Sequence, residues 1–101
     1  MANHSLDRLL APRSIALIGA SDQPESLGSP FTRQALDAQF DGEVHLVNPR
    51  RSEVFGRRCL SDVSELPDGI DLAMVLAPWG SVADIIDKLG RRQCGGAVVV
   101  G

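Results

Sequence analysis

Apolar positions along this chain follow two arrangements, short unbroken runs and longer stretches at helical spacing, and the two alternate. Ser14-Ile15-Ala16-Leu17-Ile18 is an unbroken run of strand length, the pattern of a strand buried on both faces. Phe31, Ala35, Leu36 and Phe40 then recur at helical spacing, with Ser29 as N-cap, Pro30 at the first helical position and Gly42 as the stop. Glu43 to Val47 predicts a second strand, which ends where Pro49 removes a ladder donor. Val54 to Leu60 reads as a turn around Gly56 and a short edge strand, followed by a capped single turn from Ser61 to Leu66 that Pro67 closes. Ile70 to Leu76 is the next apolar strand, broken by Ala77-Pro78-Trp79-Gly80. Ser81 then caps a helix that carries Val82, Ile85, Ile86 and Leu89 on one stripe, with Asp84 placed to answer the cap. Ala97 to Gly101 is a final apolar strand, and upstream Ser5 caps a short turn bearing Leu6, Leu9 and Leu10 that Pro12 ends.

Strands alternating with helices, and apolar on both faces, imply an α/β fold with a mostly parallel sheet and helices on each side. The expected architecture is a Rossmann-like doubly wound sheet of about five strands in the order 3-2-1-4-5, the third being the weak edge segment. In such sheets ligands bind beyond the carboxyl ends of the strands, beside strand one. Three segments converge there: Gly19 to Ser29, Asn48 to Arg51, and Ala77 to Gly80.

The first of these carries the strongest chemical signal. A strand that stops at Gly19-Ala20-Ser21 and re-emerges as a helix at Gly28-Ser29 brings backbone N–H groups together at a helix N-terminus, a natural seat for phosphate. The spacing is not G-x-G-x-x-G, so the loop by itself does not identify a dinucleotide. A β-branched side chain at Gly19 is expected to fill the space where backbone and phosphate meet and so to abolish binding with the fold intact.

Composition narrows the ligand. The 101 residues make one domain, and 44% hydrophobic with 23% charged is ordinary globular usage. A formal net charge of -3 argues against a general nucleic-acid binder. Yet nine of the ten cationic residues are arginine, and Arg50, Arg51, Arg57 and Arg58 cluster around the single acid Glu53. A local basic patch in an acidic domain suits one small polyanion. Trp79 stands in a strand-end loop, where it either packs as core or walls a flat base. His4 and His45 lack a neighbouring nucleophile or metal partner in sequence and read as structural, and no metal set is expected. Cys59 and Cys94 have no C-x-x-C spacing and, with no apolar stretch of signal or membrane length, point to a reduced, cytoplasmic setting.

The ordered segments Leu9-Leu10-Ala11-Pro12-Arg13-Ser14 through Gly19-Ala20-Ser21, then Gly28, Val47-Asn48-Pro49-Arg50, and Asp71 to Val75 leading to Ala77-Pro78, resemble the N-terminal CoA-binding domain of NDP-forming acyl-CoA synthetases, similar to the succinyl-CoA synthetase α subunit. The resemblance covers nearly the whole chain. It implies that coenzyme A, free or acylated, is the ligand. Gly19, Ala20, Ser21, Gly28 and Ser29 would meet its nucleotide phosphates, Asn48, Pro49 and Arg50 would follow strand two, and Ala77, Pro78 and Trp79 would border the adenine. Arg50 replaces the family's usual lysine, keeping the charge and adding bidentate donors. Leu76 departs from the usual Val or Pro ahead of the Ala-Pro turn.

That resemblance also implies what these residues lack. The synthetases transfer a phosphoryl group through a histidine in a following domain and bind nucleotide in an ATP-grasp domain, so no catalytic residue is assigned here. Downstream domains or a partner subunit of the parent enzyme are the expected partners, with no nucleic acid and no membrane. A chain that stops on a bare apolar strand is expected to be an N-terminal fragment of a longer protein. Two alternatives stay open: the CoA-binding regulatory domain that opens GNAT-type protein acetyltransferases, and an NADP-type module in which Arg50 meets a 2′-phosphate. NAD is disfavoured because no acid ends strand two.

Overall fold

Residues 11–23, 25–26, 28–37, 42–76 and 79–100 are described by the computed structural model, and the expected turn at Ser5 to Leu10, together with Phe40, lies outside them. Strand β1 (Ser14–Ile18) leads into helix α1 (Gly28–Asp37), then β2 (Glu43–Val47), β3 (Glu53–Val54) and β4 (Arg57–Leu60). A single 3-10 turn (Val63–Glu65) precedes β5 (Leu72–Val75), helix α2 (Trp79–Arg91) and β6 (Ala97–Val99). The order across the sheet is β3-β4-β2-β1-β5-β6. All neighbours run parallel except β3 and β4.

The doubly wound sheet expected from the sequence is present, with one change at its margin. The weak edge segment is two strands, so the sheet has six strands and an antiparallel edge. The cause is local. Phe55 (φ 50°) and Gly56 (φ 75°) form a two-residue turn with both central φ values positive, the geometry that matches the twist of a hairpin. The Arg33 guanidinium lies 5.1 Å from the centre of the Phe55 ring and helps hold this unusual residue in place.

Period-two alternation splits β1 between two cores. Ala16 and Ile18 join Val47, Ala73 and Val75 on one face, under Val63, Leu66 and Leu89 of the 3-10 turn and α2. Leu17 joins Leu46, Val54 and Cys59 on the other, packed by Ile15, Phe31 and Ala35 on the α1 side. Because both faces are covered, the central strands read as continuous apolar runs. His45, midway along β2, is half-buried with Nε2 3.5 Å from a Glu43 carboxylate oxygen, an alignment too poor for a hydrogen bond. Among the described residues no helix is long and apolar enough to cross a membrane.

Both expected helix caps move. α1 begins at Gly28, so Ser29 lies inside the first turn and Ser26 does the capping: its Oγ accepts from Gly28 N at 3.2 Å and its carbonyl from Ser29 N at 3.2 Å. α2 begins at Trp79, which places Ser81 within the helix, and Asp84 pairs with Lys88 one turn on instead of answering a cap. β5 is also shorter than the apolar run from Ile70 to Leu76, because Ile70 and Leu76 are buried beyond its ends.

Candidate functional site

At the carboxyl end of β1 the chain turns at Gly19, whose φ of +96° suits glycine. A Cβ there would lie 2.7 Å from the carbonyl oxygen of Leu76, so the residue is glycine because the backbone just after β5 passes against it. This corrects the expectation that a side chain at Gly19 would spare the fold. Gly28 is similarly confined, since its Cβ would lie 2.2 Å from the Gly19 carbonyl oxygen. The N-terminus of α1 therefore sits directly on the strand-end turn.

Hydrogen bonds then fix the loop from inside. The Val47 carbonyl accepts from both Gly19 N (2.8 Å) and Ala20 N (3.2 Å). Ser21 N donates to Thr32 Oγ1 (3.2 Å), and that hydroxyl donates onward to the Gly28 carbonyl (2.7 Å) with Thr32 fully buried. Gln23 N donates to Ser21 Oγ (3.0 Å). The N–H groups of Gly19, Ala20, Ser21, Gly28 and Ser29 thus all have internal acceptors, so the loop is not the row of free donors that the strand-to-helix turn led one to expect.

The turn after β2 locks onto this loop. Asn48 Nδ2 donates to the Ala20 carbonyl (2.7 Å) while its Oδ1 accepts from Arg50 N (2.8 Å), so one side chain bridges the two segments. Arg51 reaches back to Asp22 with a 2.7 Å contact, both side chains partly exposed. Arg50 is exposed, and its guanidinium has no partner among the described residues.

A cavity of about 510 Å³ opens between these segments and α2, within the range of small-molecule sites. Gly19, Ser26, Asn48, Pro49 and Arg50 line one side, and Ile18, Val47, Leu76 and Ile85 supply apolar surface. Ala20, Ser21, Gly28 and Ser29 are buried and stand outside its lining, as braces of the loop. Ala77 and Pro78 lie outside the described residues, and Trp79 is the first residue of α2.

Two carboxylates, Asp62 and Asp84, complete the far wall. Lys88 spans them at 3.0 and 3.3 Å, which raises its own pKa and offsets their charge. Hydrogen bonds from the Ser64 hydroxyl and backbone, then from Lys88, hold Asp62 down at about 2. A polyanion therefore belongs at the glycine and arginine side of the cavity, and the apolar part suits a base or an alkyl chain. Pattern reading of the sequence missed Ser26, Thr32 and the Asp22–Arg51 pair. Thr32, a polar residue inside an otherwise apolar helix face four positions after Gly28, was the available signal.

Comparison with known proteins matches residues 13–101 to the family model described as CoA binding domain. Trans-feruloyl-CoA synthase FCS1 from an unknown prokaryotic organism is 40% identical over 98 residues, 97% of this chain and 14% of that protein. Acetate–CoA ligase [ADP-forming] I of Archaeoglobus fulgidus is 34% identical over 95 residues, 94% of this chain and 14% of the relative. Among solved structures, the dinucleotide forming acetyl-coenzyme A synthetase 1 of Ca. Korarchaeum cryptofilum, in complex with phosphate and ADP, superposes with a TM-score of 0.87 at 38% identity, covering 95% of this chain and 21% of that one. The chain spans 14% of the length of these curated relatives.

Proposed function

The chain belongs to the CoA binding domain family, and from that premise we propose that the cavity at the carboxyl ends of β1 and β2 holds the nucleotide part of coenzyme A. The domain is homologous to ADP-forming acetate–CoA ligases, which favours CoA over an NADP-type ligand. The observation that carries the site assignment is Arg50: its guanidinium is exposed and without a partner among the described residues, and its backbone N–H donates to Asn48 Oδ1 at the edge of a cavity that Gly19 also lines. Bound CoA supplies a thiol to which an acyl group is joined.

The residues divide their roles by what they touch. Arg50 offers a bidentate donor pair to a phosphate. Gly19, Asn48 and Pro49 form the wall against which the phosphates lie, and Ala20, Ser21, Gly28 and Ser29 keep that wall in place. Ala77, Pro78 and Trp79 follow β5 and are proposed to border the base. No residue of this chain is assigned a bond-making step. We further infer that the domain serves a longer acyl-CoA synthetase, in which other domains or a partner subunit activate the acid; the lengths of the relatives support this reading.

Calorimetric titration with CoA, NADP and ATP tests the proposal. CoA is expected to bind most tightly, and Arg50→Ala to cost about 1.5–3 kcal/mol of affinity, less where solvent screens the site. The loss should shrink as salt rises. Tighter binding of NADP than CoA, or an Arg50→Ala protein with unchanged affinity, would overturn it.

A further inference from the structure

A second cavity, of about 470 Å³, adjoins the first on the outer side of the Asn48–Ser52 turn and shares Asn48, Pro49, Arg50 and Ser61 with it. We propose that it is a phosphomonoester site in which Arg58 recognises the 3′-phosphate of CoA, an inference that rests on the CoA reading of the first cavity. Three guanidinium-bearing residues line it, Arg50, Arg51 and Arg58. Arg51 is engaged by Asp22 at 2.7 Å, whereas the guanidinium groups of Arg50 and Arg58 have no partner among the described residues. Two cations that line one cavity without a partner among the described residues match a phosphomonoester, which carries close to two negative charges at neutral pH; a phosphodiester or a free ribose hydroxyl leaves one of them unanswered.

The acids nearby do not fill that role. Glu65 also lines the cavity, but its carboxylate accepts from Ser61 N (2.8 Å), the Ser61 hydroxyl and Asp62 N (3.0 Å), so it is occupied as part of the turn's cap. Glu53 lies directly across the antiparallel ladder from Arg58 and forms no ion pair with it. The hairpin explains why Arg58 and not its neighbour takes part. Side chains alternate along a strand, so Arg57, opposite Val54, projects to the other face and does not line the cavity. β4 runs parallel to β2 with Val47 opposite Leu60, which sets Arg58 beside the strand whose end carries Arg50.

Arg57 is thus a built-in control of equal charge. Binding of CoA and dephospho-CoA is measured by calorimetry for the unaltered chain, Arg58→Gln and Arg57→Gln at one ionic strength, with circular dichroism to confirm the fold. The unaltered chain is expected to prefer CoA at least tenfold. Arg58→Gln should weaken CoA about tenfold, leave dephospho-CoA unchanged and so collapse the preference, while Arg57→Gln retains it. Equal losses for both ligands in Arg58→Gln, no change in either, or the same loss in Arg57→Gln would sink the assignment of Arg58 while leaving CoA binding intact. Failure of the unaltered chain to bind either ligand would instead remove the CoA reading, and the phosphomonoester site with it.

Discussion

Thr32 shows how much of the site depends on a residue that lines neither of the two cavities described. Its buried hydroxyl accepts from Ser21 N and donates to the Gly28 carbonyl, joining the loop to the first turn of α1. Thr32→Val keeps the shape and removes both bonds, leaving the buried Ser21 N–H without its acceptor, which costs about 1–3 kcal/mol. Urea unfolding should report that loss, and CoA affinity should fall as the loop loosens; equal stability of the variant would show the hydroxyl to be dispensable. Glycine legibility was partial at this scale. Gly19 and Gly28 were recognisable as the ends of a tight turn, but the sequence could not say that each is needed because another backbone passes within a Cβ's reach. Such contacts come from strands far apart in sequence, and no local pattern records them. Asn48 and Arg50 were legible because a strand end before proline fixes where they lie.

At the scale of elements, β1 and β2 emerged with the bounds their apolar runs announced, since burial on both faces leaves a strong signal. The hairpin of β3 and β4 did not, because four exposed or half-exposed positions around one glycine carry little periodicity. The start of α1 slipped because serines at positions 26 and 29 compete as caps on propensity alone. The 3-10 turn was read correctly as capped. Asp62 accepts from Ser64 N (3.0 Å) and Glu65 returns to Asp62 N (3.0 Å), a reciprocal pair. Its pH behaviour follows. Asp62 has a folded-state pKa of about 2 against an ordinary 3.8, so its ionised form favours the folded state. That contribution is complete above about pH 4 and is lost as pH falls toward 2; with the side chain 43% exposed, screening leaves about 1 kcal/mol. Melting temperatures between pH 5 and 2 should drop less in Asp62→Asn than in the unaltered chain, and parallel curves would contradict this origin.

The whole molecule ends its sheet asymmetrically. One margin is the β3–β4 hairpin, with charged residues at Glu53, Arg57 and Arg58; the other is β6, where Ala97 is exposed and Val98 is 48% exposed. An apolar edge strand offers unpaired backbone groups and a sticky surface to a second chain. Sedimentation of these 101 residues is expected to show concentration-dependent association that Val98→Lys reduces, with stability changed by less than about 0.5 kcal/mol, as for a surface position. A clean monomer for the unaltered chain at high concentration would refute it.

The bridge made by Asn48 has a further meaning in time. With one side chain joined both to the Ala20 carbonyl and to Arg50 N, the loop after β1 and the turn after β2 form one body on the same side of the cavity before any ligand arrives. No rearrangement between these two segments has to precede capture. A molecule of net charge -3 repels an anion at long range and attracts it only where the arginines stand. Entry is then a matter of approach direction, and added salt acts on arrival through both of these opposing fields while leaving the residence time to the short contacts inside.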